Sequence, residues 1–204
     1  MRSATFNPYQ PVLPRPHERK RSQWGMALFI ATEAMLFVIF FFAYFFLASN
    51  SEQWPFHEDP SFKLALVLLV ILLLSSVTAH LGQRGIEKGD SKSLNLWLAL
   101  SLLLGVAFMS VQYFEYSQHL KILTPTDNAY GSIFYTIVSF HLAHVVLGFI
   151  MLAYVLARAL AGHFSAERHI AVKNVVWYWH FVDLVWIVVV CILYLSPHFY
   201  GTAL

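Results

Sequence analysis

The chain has 204 residues, 58% of them hydrophobic and 12% charged, with a mean hydropathy of +0.61 and a formal charge of +2. An ordinary soluble domain carries about 25% charged residues, so a water-facing surface cannot be built from this composition. The basic residues lie in short clusters between apolar runs, which excludes a nucleic-acid footprint. The single cysteine, Cys191, excludes an internal disulfide and a cysteine metal cage.

Met1 to Ser22 is polar, with prolines at 8, 11, 14 and 16, and reads as an N-terminal tail. Five apolar stretches then follow, each long enough to cross a hydrocarbon core of about 30 Å, which takes about 20 helical residues. They run from Gln23 to Ala48, Phe62 to Gly82, Leu94 to Gln118, Tyr130 to Arg158, and Lys173 to Leu195. The first is too long for a signal peptide and contains Glu33, so it reads as an uncleaved anchor. Pro55 and Pro60 mark the first connection; Gly82, Gly85 and Gly89 surround the second, and Pro125 precedes the fourth span. Short connections predict that consecutive helices neighbour one another as antiparallel pairs. The expectation is an all-α, polytopic bundle with one membrane domain (23–195), an N-terminal tail (1–22) and a C-terminal tail (196–204).

Short loops rich in lysine and arginine stay on the cytoplasmic side. Five spans put every lysine and arginine except Lys63 and Lys121 on one side. The N-terminus is therefore expected in the cytoplasm, or on the matrix side in an organelle, and the C-terminus outside. Trp24, Trp54, Trp97 and Tyr200 fall near the predicted span ends, as interfacial aromatics do.

Function should lie where the chain breaks its apolar rule. Of the acidic residues, only Glu33, Glu115 and Asp183 fall within spans, where a charge costs several kcal/mol unless it is paired, hydrated or neutralised. At 1.5 Å per residue, Glu33 and Asp183 lie roughly 15 Å deep and Glu115 nearer the outer surface. His141 and His144 share one helical face, and His180 and Asp183 repeat that spacing on the next helix. A neutral imidazole can hydrogen-bond a carboxylic acid, so Glu33 is expected to pair with one of these histidines, the whole set lining one buried polar seam.

Three uses of such a seam compete. Carboxylate and histidine sets bind metals in helical bundles through Glu-x-x-His pairs, and no Glu-x-x-His occurs here. A proton-coupled carrier would be expected to interrupt its helices with glycine or proline at matching positions, and the predicted spans contain no proline. The third use is interhelical glue, each contact contributing about 1 kcal/mol. Aromatic runs at Phe37 to Phe46 and Trp177 to Trp186 fit packing better than a haem or quinone pocket. Arg158, with His163, Arg168 and His169 beyond it, forms a cluster suited to anionic headgroups or to setting topology.

The motifs themselves resemble a known family. Met26-Ala-Leu-Phe-Ile-Ala-Thr-Glu33 is similar to the glutamate-bearing helix of haem-copper oxidase subunit III. Gln112-Tyr-Phe-Glu115-Tyr116, Ala129-Tyr-Gly131, Phe140-His141-Leu-Ala-His144 and Trp177-Tyr-Trp-His180-Phe-Val-Asp183-Leu-Val-Trp186 follow in that family's order. The resemblance covers about residues 22 to 195. It implies a non-catalytic core subunit of a proton-pumping terminal respiratory oxidase in a bacterial inner membrane. It supports assembly, lipid binding and sustained proton uptake, while partner subunits I and II carry haem and copper and reduce oxygen to water. By the same match Glu33 corresponds to the family's carbodiimide-reactive membrane carboxyl, and Arg158 to an arginine that contacts a phospholipid headgroup. No cofactor is expected on this chain apart from phospholipid. Five spans further imply the short bacterial form, with the two helices that longer members place first carried by subunit I. The rival readings are a subunit-III-like accessory protein of a nitric oxide reductase and, from another class, an independent proton-coupled carrier.

Overall fold

Without water in the hydrocarbon region, each crossing segment must satisfy its own backbone, which these apolar runs do as helices. The computed structural model describes residues 16–51, 54 and 62–195. It contains α1 (Pro16–Ser49), α2 (Phe62–Glu87), α3 (Ser91–His119), α4 (Ala129–Leu160) and α5 (Ile170–Val189). The last continues into a π-helical turn, Val190–Leu195. All five helices are long and apolar enough to cross a membrane, and the described residues form no named strand. Residues 1–15 and 196–204 of the predicted tails, together with Pro55, Pro60 and Tyr200, lie outside the described residues.

Helix α1 starts earlier than expected, inside the sequence read as a polar tail. Pro16 takes the first helical position, where its missing N–H would be unpaired in any case, and the following His-Glu-Arg-Lys-Arg run carries the helix toward the apolar segment. Local chemistry fixes the other ends. Asp90 caps α3 by accepting the Ser93 N–H at 3.0 Å, and Asn128 caps α4 by accepting the Gly131 N–H at 2.7 Å. Gly89 (φ +83°) and Gly162 (φ +74°) stand just beyond α2 and α4 in the left-handed region that glycine adopts most readily. The next N–H in each case turns back, Asp90 to the Gly85 carbonyl and His163 to the Arg158 carbonyl.

Packing departs from the simple expectation of sequential neighbours. The α2–α3 hairpin is the most extensive pair, followed by α4–α5, but α1 packs on α4 and α5 and hardly touches α2. Association in lipid relies on close contact and interhelical hydrogen bonds, because lipid tails are as apolar as the side chains. Small residues supply the close approach: Gly82 faces Trp97, Gly85 faces Ser93, and Gly105 and Gly148 both face the ring of Trp179. Trp179 is fully buried and donates its indole N–H to Ser75 Oγ at 2.9 Å, tying α5 to α2. Thr78 and Ser101 join α2 to α3 by a 2.7 Å hydroxyl pair.

Candidate functional site

Glu33 stands on the side of α1 that meets α4. Its Oε2 lies 3.0 Å from His144 Nε2, with the side chains 26% and 11% exposed respectively. His144 Nδ1 lies 2.6 Å from the Phe140 carbonyl oxygen, an acceptor only, so Nδ1 must carry a hydrogen and donate. The Nε2 to Oε2 bond then needs one further proton, supplied by a neutral carboxylic acid or held on an imidazolium facing a carboxylate. The two arrangements hold the same number of protons and are equally neutral in sum. A charge-separated pair costs more in a medium that solvates ions poorly. Phe37, one turn along α1, meets the His144 ring edge-on at 5.0 Å, and Tyr178 OH donates to the His144 carbonyl at 3.4 Å.

One turn away on α4, His141 is fully enclosed. Its ring stacks on Trp186 at 4.9 Å and meets Phe37 and Phe108 edge-on, and neither ring nitrogen has a hydrogen-bond partner among the described residues. His180 and Asp183 belong elsewhere, because they point from α5 toward α2. His180 Nδ1 hydrogen-bonds Ser76 Oγ, the His80 ring lies 5.9 Å away, and Asp183 Oδ2 is 3.9 Å from His180 Nδ1. Asp183 is buried, whereas the His180 side chain is 41% exposed. Glu115 forms a third group nearer the other end of the bundle. It accepts from Gln112 Nε2 at 3.3 Å and from Tyr194 OH at 3.4 Å.

The single seam is therefore corrected to three separate clusters. Their separation has a plain cause: on α5, Tyr178 and Phe181 face α1 and α4, while His180 and Asp183 point at α2, so the body of α5 stands between Glu33 and Asp183. His180 is also not buried. Arg158 lies exposed in the last turn of α4, donating to Tyr154 OH at 3.1 Å with its guanidinium 5.9 Å from that ring. Close by, Met26, Met151, Tyr154 and Asn174 help line an apolar cavity of about 410 Å³ between α1, α4 and α5. Among the described residues, no three of His, Cys, Asp and Glu come close enough together to hold a metal ion.

Sequence reasoning missed Ser76, His80 and Tyr194. His80 had a visible signal, as a polar residue inside an apolar span four positions after Ser76. Tyr194 had none, because its direction depends on the π-helical turn.

The family described as Cytochrome c oxidase subunit III matches this chain over residues 16–201, the whole of the bundle. Relatives of the same printed name, cytochrome c oxidase subunit 3, agree with it. The Cyprinus carpio protein is 36% identical over 196 residues, covering 92% of this chain and 72% of the relative. The Synechocystis protein is 36% identical over 175 residues, covering 84% and 74%. The Gallus gallus protein is 35% identical over 210 residues, covering 99% and 77%. With the glutamate, histidine and aromatic motifs placed on five apolar helices and the match running through all of them, the chain belongs to the cytochrome c oxidase subunit III family.

Proposed function

We propose that this chain is a non-catalytic subunit III of a proton-pumping terminal oxidase, supporting assembly, lipid binding and sustained proton uptake. The observation that carries the reading is the Glu33–His144 pair, a single protonatable bond set in an apolar helix interface and still partly open to the surroundings. Such a pair can hold a proton and fasten α1, but it offers no substrate pocket. The reaction, oxygen reduced to water, belongs in this reading to subunits I and II, which hold the haem and copper. The names of the relatives favour cytochrome c as electron donor and favour an oxygen-reducing over a nitric-oxide-reducing complex. The cavity beside Tyr154 and Arg158 suits a phospholipid, apolar along its walls with a cation at one end. The excess of basic residues on one side supports an N-terminus in the cytoplasm, and the Synechocystis relative supports a bacterial cell membrane.

The test is Glu33→Gln in the intact complex. The carboxamide can still donate to His144 Nε2 but cannot exchange a proton. Assembly and the initial rate of oxygen reduction are expected to stay within about twofold of wild type, with a faster decline during continuous turnover. Immediate and complete loss of oxygen reduction in the assembled variant would contradict the proposal.

A further inference from the structure

Helices α1 and α2 both pack on α5 but hardly on each other, leaving a groove between them with α5 as its floor. Tyr178 and Phe181 turn toward α1, and Trp179 and Asp183 turn toward α2. The sector between them carries Trp177, His180 and Leu184, all at least partly exposed. Exposed apolar side chains are ordinary on a membrane helix, but a half-exposed imidazole is not. Counted from Gly82 and Lys173, where the apolar spans end, Ser76 and His180 lie about 10 Å inside the hydrocarbon region, among lipid tails rather than headgroups. The Ser76–His180 hydrogen bond occupies Nδ1, so the ring has its Nε2 edge left for a group outside this chain. Buried Asp183 lies beside it, its Oδ2 3.9 Å from His180 Nδ1.

We infer that this groove seats a transmembrane helix of another subunit of the oxidase, and that the helix carries a hydroxyl or carboxamide side chain at the depth of His180 to meet it. Either group both donates and accepts, so it suits whichever tautomer the Ser76 contact selects. A lipid tail offers no such group and leaves the imidazole unpaired in hydrocarbon. The assignment rests on the chain's place in a multi-subunit oxidase and is independent of the role proposed for Glu33.

The experiment uses whole cells carrying a photoactivatable benzoylphenylalanine at Leu184 on α5 or at Leu73 on α2, followed by purification of the complex. Both positions are expected to capture the same subunit, one different from this chain. His180→Leu should lower the yield at least about fivefold, the effect of one lost interhelical hydrogen bond, while His180→Gln should stay within about twofold. Capture of lipid alone, of a second copy of this chain, or of no subunit from either position overturns the assignment. Equal yields from wild type, His180→Leu and His180→Gln overturn the polar seat. The visible spectrum of the purified complex reports assembly separately. A haem-containing complex that includes this chain, with no capture from the groove, overturns the inference and leaves the proposed function standing.

Discussion

Replacing Gly148 by alanine tests the packing at the centre of the bundle. A Cβ at position 148 would stand 2.8 and 2.9 Å from Cε3 and Cζ3 of Trp179 and 3.2 Å from Cε1 of Tyr178, where ordinary contact begins at 3.4 Å. The indole would have to retreat by several tenths of an ångström. It has little room, being fully buried, tied through its N–H to Ser75, and bounded on another side by Gly105. Overpacking of this kind costs about 1–3 kcal/mol. Alanine offsets about 1 kcal/mol of that through its better helix propensity. The same gain applies at Gly25, where a Cβ would meet nothing within 4 Å. The difference in stability between Gly148→Ala and Gly25→Ala therefore isolates the clash, with an expected magnitude of about 1–3 kcal/mol. Reversible unfolding in mixed detergent micelles, followed by circular dichroism, measures it. If Gly148→Ala proves as stable as Gly25→Ala, the close approach of α4 to Trp179 described above is refuted. In a Trp179→Phe background Gly148→Ala should cost less than in the wild type, since the smaller ring vacates the space the methyl needs.

Two further predictions follow from the polar contacts. In a double-mutant cycle, Glu33→Ala and His144→Ala should show a coupling of about 0.6–1.7 kcal/mol, the range found for interhelical hydrogen bonds in membranes, and additive effects would mean that the 3.0 Å contact contributes nothing. In the loop before α4, the Thr124 backbone N–H and hydroxyl both donate to the Asp127 carboxylate and hold it below the usual aspartate range. Because the folded carboxyl is the stronger acid, the loop is stabilised above the ordinary aspartate pKa, and that stabilisation disappears as pH falls through the depressed value. Protection of the Thr124 amide from hydrogen exchange should follow the same course, and Asp127→Asn should reduce it at neutral pH; protection unchanged by that substitution would count against the bond.

How much of this was legible in the sequence depends on which physical rule was at work. Span positions follow from hydropathy alone and could be read directly. The partner of Glu33 could be narrowed to a few histidines but not chosen. Selecting His144 over His141 requires the rotation of α4, which is set by Gly148 against Trp179 and by the aromatic contacts of Phe37. The seam failed because polar residues at one depth need not share a side: His180 and Phe181 are adjacent in sequence yet face different helices. Short connections suggested that α1 would lie against α2, whereas side-chain fit sends it to α4 and α5. The partner of Glu115 was hidden for a similar reason. The widened turn at Val190–Leu195 brings Tyr194 onto it, and π-helical turns have no reliable sequence signature.

The docking of α1 on α4 and α5 bears on how the protein is made. A chain synthesised from its N-terminus delivers α1 to the membrane before either of those helices exists. Glu33 then waits for a histidine 111 residues downstream, while α2 and α3 can close on one another as soon as both have entered. Helix α1 thus enters the bilayer well before it can find its place, and the acid it carries must enter the membrane before its partner has been translated.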